Sequence, residues 1–284
     1  MLIPTLSTIL ATAFWGASFV LTKLALQEMQ PTTFLFWRFL IATLSMLPSL
    51  ATYGGYLRQK ALVQGVQLGL LQVGLMFLQT LGLQTLSPSL SAFLSGFFIV
   101  FVLFIKFITQ GRLPGQVDVL STLTCLAGLA LLTHSYGLVW EMGILYTLGG
   151  AFFVALHTYL LDTYIADTHV TALTFVQMLT LALFAGFTSL WPGNGIHLPV
   201  QIASWGAILF CGTFSSSIAC WLQASAQKHL GAFKVAMILM LEPVFATVFT
   251  YWVWAEPLDG YAYLGMALMI GAVAIINRRI EALT

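Results

Sequence analysis

The 284-residue chain is 60% hydrophobic and only 7% charged, and its net charge is +1. Soluble domains carry about 25% charged residues, so most of this chain cannot form a water-exposed surface, and lipid must cover much of its exterior. The near-neutral charge and the absence of a Lys/Arg-rich run exclude nucleic acid as the expected partner.

The apolar residues are grouped into long segments. A helix needs about 20 apolar residues to cross a hydrocarbon core of about 30 Å, and short connections containing Pro, Gly or charged residues separate such segments here. The first segment has no basic stretch before it, so we expect it to remain as a span and not to be cleaved as a signal peptide. The ten predicted spans are Leu6–Leu26, Phe34–Ser49, Leu62–Leu81, Leu90–Ile108, Val117–Thr133, Ile144–Leu161, Ala172–Trp191, Ile202–Leu222, Phe233–Trp254 and Ala262–Ile276.

The basic residues predict the orientation, because cytoplasmic loops are enriched in Lys and Arg. With the N-terminus inside, only Lys23 and Arg38 lie toward the outer side. We therefore predict a multi-pass protein of the cell inner (plasma) membrane with both termini cytoplasmic. The residues that fall at cytoplasmic loops or helix ends are Arg58, Lys60, Lys106, Arg112, Lys228, Lys234, Arg278 and Arg279.

The two halves of the chain, 1–137 and 138–284, are similar in their spacing. Ala151-Phe152-Phe153 can be set against Ala13-Phe14-Trp15, and Gln223 against Gln79. Because five spans is an odd number, the second half must enter the membrane from the opposite side. We predict an all-α integral membrane protein with ten transmembrane helices as two inverted five-helix repeats, an architecture typical of transporters with a site between the halves.

A carboxylate and a proline, Glu242-Pro243, stand near the middle of the ninth predicted span. A charge at bilayer depth costs about 2.5–3.5 kcal/mol on insertion scales and is a functional candidate by default. Pro243 lacks an N–H and crowds the carbonyl of Leu239, so the break should face protein or a wet cavity. Two roles stay open for Glu242: it binds a cationic group of a solute or a proton, or it bonds a neighbouring helix and shapes the kink.

Arg38 is the other deep charge. Its planar fork suits a carboxylate of a solute, but its long stem also permits snorkelling to the interface or a structural pair with Glu28. Lys23 has the same alternatives and lies closer to the membrane end.

Polar residues inside the other spans are further candidates. Gln72 and Gln79 share one helix face with Gly65 and Gly69, a stripe that either lines a pocket or holds helices together. In the eighth span, Gln223 and the run Ser215-Ser216-Ser217 form the matching case. His157 either relays protons or is a buried neutral histidine bonded to a backbone carbonyl.

Aromatic residues complete the predicted pocket. Trp15, next to Gly16 and Ser18, is suited to stacking on a flat solute, and Trp37, Phe97, Phe98 and Tyr251 could add to the lining. At 14% aromatic content, most such residues pack or face lipid. The predicted substrate-binding residues are Trp15, Ser18, Trp37, Arg38, Gln72, Gln79, Phe97, His157, Gln223 and Glu242.

Enzymatic chemistry has little support. The sequence lacks HExxH, GxSxG and Walker-type GxxxxGK[ST] patterns, so we predict no catalytic residue, no cofactor and no metal. Cys125, Cys211 and Cys220 fit no metal spacing and are interpreted as small apolar fillers.

Two groups of motifs resemble a known family. Phe14-Trp15-Gly16-Ala17-Ser18-Phe19, followed by Phe36-Trp37-Arg38-Phe39-Leu40-Ile41-Ala42, resembles the opening of the EamA-type transporters of the drug/metabolite transporter superfamily. Leu241-Glu242-Pro243-Val244-Phe245-Ala246, then Ala255-Glu256-Pro257-Leu258, Gly265 and Gly271, resembles the end of that family's pattern. In the first half, Gln110-Gly111-Arg112-Leu113 stands where an acidic residue is expected, and Phe97-Phe98 replaces the mid-span proline.

The resemblance implies a cavity surrounded by helices 1 to 4 and 6 to 9, with helices 5 and 10 at the periphery. It also implies export of small solutes such as amino acids, metabolites or drugs. Gly265 and Gly271 would then allow close contact in a homodimer, although a monomer stays open. If the cavity lies between the fourth and ninth spans, one wall is aromatic and the other acidic.

We therefore predict a secondary transporter whose partners are a small-molecule solute, membrane lipid and, as the candidate coupling ion, protons. An uncoupled channel or facilitator is the alternative. An intramembrane enzyme is a weaker one, because the deep charges are few and do not cluster in the sequence.

Overall fold

A computed structural model describes residues 2–111, 115–132, 140–191, 195–255 and 258–281. Of these described residues, 87% are helical and none lies in a strand. Outside the described residues lie the predicted loop segments Arg112-Leu113-Pro114, Pro192-Gly193-Asn194 and Glu256-Pro257, together with the side chains of Arg278 and Arg279.

The helical stretches are numbered α1 to α10 in chain order, and an interrupted stretch keeps one number. Eight of them are long and apolar enough to cross a membrane, whereas α5 and the apolar part of α10 are shorter. The described residues therefore support a multi-span helical protein, and the arrangement as ten spans in two inverted repeats stays a prediction. The bounds are α1 Leu2–Ala25, α2 Pro31–Tyr53, α3 Gln59–Thr85, α4 Pro88–Gly96 and Phe98–Gln110, α5 Gln116–Leu132, α6 Met142–Tyr164, α7 Val170–Ser189, α8 Ile202–Phe210, Cys211–Ile218 and Ala219–Leu230, α9 Ala232–Leu239 and Glu242–Trp254, and α10 Gly260–Glu281.

Local sequence signals account for several helix ends. Pro31 and Pro88 occupy the first positions of α2 and α4, where the missing N–H costs nothing. The Ser87 hydroxyl accepts a hydrogen bond from the Leu90 N–H at 3.2 Å, which caps α4. Gly111 (φ 62°) and Gly231 (φ 75°) end α4 and α8 with backbone angles that favour glycine.

Three helices depart from regular α-geometry within their spans. Helix α9 stops at Leu239 and restarts at Glu242, as Pro243 predicts. Helix α4 is interrupted at Phe97, although no proline stands there. In α8, Cys211–Ile218 is a π-helix, a rare geometry that is frequent at functional sites.

The two halves of the chain pack on one another. Helix α1 packs on α8 and α9, α2 on α7 and α8, and α3 on α6 and α7. Helix α5 packs chiefly on α10, so this pair lies to one side of the remaining helices.

Close helix approach depends on small residues. A Cβ atom added at Gly16 of α1 would lie 2.9 Å from the backbone N of Ala246 in α9. Gly65 and Gly69 similarly admit Val176 and Thr180 of α7, so the glycines of the α3 stripe hold helices together.

Gly265 makes its close contact within the chain, on α5, so the homodimer stays a prediction. A Cβ atom on Gly128 of α5 would lie 2.6 Å from the Gly265 carbonyl oxygen. A Cβ atom on Gly271, by contrast, would have nothing within 4 Å.

Gly16→Ala should lower the free energy of unfolding by about 1–3 kcal/mol, because an added methyl group in a packed interface forces the helices apart. The matched control is Gly206→Ala in α8, where a Cβ atom meets nothing within 4 Å. There the gain in helix propensity, up to about 1 kcal/mol, should leave stability unchanged or raise it. Unfolding titrations in detergent micelles measure both, and equal stabilities of the two variants would contradict the packing argument.

Candidate functional site

A central cavity lies among α1, α2, α3, α4, α6, α8 and α9. The volume that the centre of a water-sized sphere can occupy in this cavity is about 60 Å³. One water molecule needs about 10–15 Å³ by the same measure, so the cavity has room for a few water molecules. Among the described side chains of α5 and α10, none lines it. The lining residues are Trp15, Ser18, Arg38, Gln72, Leu75, Met76, Gln79, Ser95, Phe98, Val154, His157, Thr158, Cys220, Gln223, Leu239 and Glu242.

The cavity brings together most of the residues that the sequence nominates, although these are spread over six helices. Each is a polar or aromatic side chain inside an otherwise apolar span, and helix packing directs all of them to one space. The nominated residues that line the cavity are Trp15, Ser18, Arg38, Gln72, Gln79, His157, Gln223 and Glu242.

Trp37 and Phe97 do not line this cavity. The Trp37 indole N–H donates to the His197 carbonyl at 3.0 Å, and its ring packs on Trp205 with centroids 6.0 Å apart. Phe97 faces a separate apolar groove beside Trp140. The neighbouring Phe98 supplies the aromatic wall instead.

The interruptions of α4 and α9 both border the cavity. Ser95 and Phe98 flank the break in α4, and Leu239 and Glu242 flank the break in α9. An interrupted helix frees backbone groups that lipid cannot satisfy, so its break belongs in protein or beside water. The two breaks therefore give the cavity one aromatic and one acidic wall.

The π-helical segment of α8 positions Arg38. The Arg38 Nε donates to the Ser216 hydroxyl at 2.9 Å, and Nη2 donates to the Ser215 hydroxyl at 3.1 Å. The same segment accepts a hydrogen bond from Trp15, whose indole N–H lies 2.7 Å from the Ser215 carbonyl oxygen. The wide turn thus holds the guanidinium of α2 and the indole of α1 at the cavity.

Arg38 neither snorkels nor pairs with Glu28. Only 3% of its surface is exposed, and no carboxylate of the described residues forms an ion pair with it. Glu28 instead binds residues at the start of α8. Neutral hydroxyls therefore orient the guanidinium and leave its positive charge without a protein counter-ion in the part of the chain that the structure describes.

Glu242 begins the second part of α9, directly after the break. Its side chain keeps a small exposed area, which faces the cavity. No hydrogen bond or ion pair from a described residue reaches its carboxyl group. The structure thus gives no support to a hydrogen bond with a neighbouring helix and presents the carboxyl to the cavity.

His157 is held by α7, a helix that does not itself line the cavity. Its Nε2 lies 2.8 Å from the Gln177 Oε1. Because an amide oxygen only accepts hydrogen bonds, Nε2 carries the proton and a neutral ring keeps Nδ1 as an acceptor. The predicted bond to a backbone carbonyl is replaced by one to a side-chain amide.

Two amides of α3 supply further polar groups. The Gln72 amide N–H2 donates to the Cys220 sulfur at 3.5 Å, while its oxygen is buried without a partner among the described residues. The Gln79 amide donates to the Ser95 hydroxyl at 3.1 Å. An unsatisfied buried amide oxygen costs about 1–3 kcal/mol, so a hydroxyl or ammonium donor in the cavity would relieve it.

Lys23 belongs to the scaffold. Its Nζ donates to the carbonyls of Leu83, Gln84 and Leu86 at 2.7, 3.0 and 3.0 Å. These carbonyls end α3, where no intrahelical partner remains. A cation at a helix C-terminus also interacts favourably with the helix dipole.

Several lining residues had no clear signal in the sequence. Ser95 is one of several serines near the start of α4, and Leu239 is one apolar residue among many. Cys220, interpreted as a filler, is buried but faces the cavity. Cys220 lies three residues before Gln223, so both side chains are on one helix face. This spacing is a sequence signal that predicts Cys220 as a cavity residue.

Comparison with known proteins supports a transporter family. The model of the EamA-like transporter family matches residues 2–134 and again 141–278. An uncharacterized transporter of Archaeoglobus fulgidus is 26% identical over 272 residues, covering 95% of this chain and 84% of the relative. The uncharacterized transporter YyaM of Bacillus subtilis is 25% identical, covering 90% of this chain and 88% of the relative.

One solved crystal structure shares the fold, with a TM-score of 0.80 at 18% identity over 98% of each chain. The two family matches together span nearly the whole chain, and the helices that could cross a membrane fall within them. The chain therefore belongs to the EamA-like transporter family and is a multi-pass membrane protein.

Proposed function

We propose that this protein is a secondary transporter that exports small organic solutes, such as amino acids or related metabolites and drugs, by alternating access. The observation that carries the proposal is that two ionisable groups, the Arg38 guanidinium and the Glu242 carboxyl, line one cavity and form no ion pair with any described residue. They belong to different halves of the chain, so movement of one half against the other would act directly on a solute held by both.

The chemistry of the cavity favours a solute with both a negative and a positive group. Arg38 offers a planar fork that matches a carboxylate, and Glu242 offers an acceptor for an ammonium group. Leu75, Met76 and Phe98 supply apolar contacts for a side chain, and Met adapts to varied shapes.

The size of the cavity supports access by a change of conformation. A space for a few water molecules is too small for an amino acid, so the helices must separate to admit one. We propose that this movement opens the cavity to one side of the cytoplasmic membrane at a time, with both termini on the cytoplasmic side. An uncoupled facilitator is the second candidate, since the same cavity could serve passive flux.

Binding should be detected first by thermal stabilisation of the purified protein. A solute that binds only the folded state at 100 times its Kd adds about 2.7 kcal/mol of stability. We expect stabilisation by free amino acids and none by the corresponding amides, which lack the carboxylate for Arg38. Accumulation of the identified solute in proteoliposomes against its own gradient then supports coupling, whereas flux that only equilibrates it supports the facilitator.

Glu242→Gln should slow transport at least about tenfold, the effect of losing about 1.4 kcal/mol of interaction, and should abolish its dependence on pH. The amide keeps the shape of the carboxyl group but can neither ionise nor bind a proton. The free energy of unfolding should stay within about 1 kcal/mol of the parental value, because no described hydrogen bond is lost. Flux in proteoliposomes across a pH series measures the effect, and full transport at every pH would contradict it.

Arg38→Met should abolish solute-dependent stabilisation while leaving the empty protein at least as stable. The reason is that burying a charge without a counter-ion is costly, so removing the charge offsets the loss of the hydrogen bonds to Ser216 and Ser215. Lys23→Met is the matched control: it removes another cation of the first half, a partly buried one, and the loss of its three carbonyl contacts should cost about 1.5–3 kcal/mol. The control should lose stability and keep solute binding, and the reverse pattern would refute the assignment of the two cations.

A further inference from the structure

Two short loops occupy equivalent positions in the two halves of the chain. The first joins α1, which ends at Ala25, to α2, which begins at Pro31, and the second joins α6, which ends at Tyr164, to α7, which begins at Val170. Both loops contain five residues, and an acidic residue is third in each. These acidic residues are Glu28 and Asp167.

Glu28 binds the start of α8 in the other half. Its carboxylate accepts hydrogen bonds from the Val200 N–H, from the Gln201 N–H at 3.1 Å and from the Ser204 hydroxyl. A carboxylate at a helix N-terminus satisfies free N–H groups and complements the helix dipole.

Asp167 binds the start of α3 in the other half, where its carboxylate forms an ion pair with the Lys60 ammonium group. The residues around Asp167 continue the contact along the helix. The Thr168 hydroxyl donates to the Gln64 Oε1 at 2.6 Å, and the Tyr164 hydroxyl donates to the Gln67 Oε1 at 2.7 Å. The second loop therefore docks on the first turns of α3, as the first loop docks on α8.

The two contacts lie on opposite faces of the protein. Helix α1 crosses the protein, and Glu28 lies in the loop at its far end. Helix α2 crosses back, so α3, which carries Lys60 in its first turn, begins on the face where α1 began. We call the face of Glu28 the α1–α2 face and the face of Asp167 the α6–α7 face. The helices that receive the loops, α8 and α3, also carry cavity residues such as Gln223 and Gln72.

We propose that the contacts of Glu28 and Asp167 are two latches of the transport cycle, each of which breaks when the cavity opens to its own face. This inference rests on the proposed function. Both latches are closed in the structure, and the cavity between them has room for only a few waters. This is the arrangement expected when the cavity is open to neither face.

The chemistry of the latches suits repeated opening. Hydrogen bonds from the Ser204 hydroxyl and then the Val200 N–H hold the pKa of Glu28 below its usual range, and the hydrogen bond from Lys60 does the same for the pKa of Asp167. Both carboxylates are thus charged at neutral pH. The side chains of Lys60 and Asp167 are 56% and 53% exposed, and exposed ion pairs are weak, so water can replace the partners readily.

Cys220 provides a reporter that needs no knowledge of the solute. It lines the cavity, whereas Cys125 and Cys211 are buried elsewhere. The rate at which a membrane-impermeant maleimide labels Cys220 from each face of oriented vesicles measures how often the cavity opens to that face. Cys220→Ser should remove the signal and shows that the other two cysteines do not contribute.

Glu28→Gln should raise labelling from the α1–α2 face by about fivefold and lower labelling from the other face. Asp167→Asn should do the opposite. The two variants together should restore the parental ratio between the faces. A role confined to folding would not produce effects of opposite direction.

Matched variants test the partners. Lys60→Ala should change the labelling ratio as Asp167→Asn does. The double variant should show no larger change, because both substitutions remove the same ion pair. Ser204→Ala should act in the direction of Glu28→Gln. The charge-preserving Glu28→Asp and Asp167→Glu should restore part of the parental ratio.

The outcomes separate the two proposals. If Cys220 is labelled from both faces but the latch variants leave the ratio unchanged or shift it in one direction, the latches are wrong and alternating access stands. If Cys220 is labelled from a single face or from neither in every variant, alternating access fails, and the latch proposal fails with it.

Discussion

The structure depends on keeping backbone polar groups away from lipid. In a chain with so few charges, each helix satisfies its own N–H and C=O groups except where it is interrupted. The breaks at Phe97 in α4 and before Glu242 in α9, and the π-helical turn of α8, are such places. The two breaks border the cavity, and the π-helical turn holds Arg38 and Trp15 in its lining, so the polar site depends on the places where the helices are irregular.

Close packing keeps these irregular segments in register. Gly16 lets α1 approach the backbone of α9 just after its break, and this contact places Trp15 and Ser18 beside Glu242 in the cavity lining. Lys23, about two helix turns after Gly16, fixes the end of α3 through three carbonyls. One face of α1 thus connects the cavity, the broken α9 and the helix that carries Gln72 and Gln79.

The sequence could predict those parts of the site where a polar group stands in an apolar span, because such a group has few places to go. Arg38, His157 and Glu242 were found in this way. The break in α9 is marked by a proline, whereas the break in α4 has no proline beside it. Aromatic residue type alone does not predict which side chains line the cavity. Phe97 and Phe98 are adjacent and identical in type, yet Phe98 lines the cavity and Phe97 faces a separate groove. Hydrogen-bond partners such as Gln177 depend on tertiary packing and could not be read from spacing.

The serine partners of Arg38 have a consequence for the electrical character of transport. Because neutral hydroxyls hold the guanidinium, its charge is available to the cavity as a whole. With Glu242 ionised, the lining charges cancel, and a zwitterionic solute would cross without net charge movement. With Glu242 protonated, the lining carries one positive charge, on which the membrane potential acts with about 2.3 kcal/mol per 100 mV for full passage. The proton on a single carboxyl would then decide whether the membrane voltage drives the cycle.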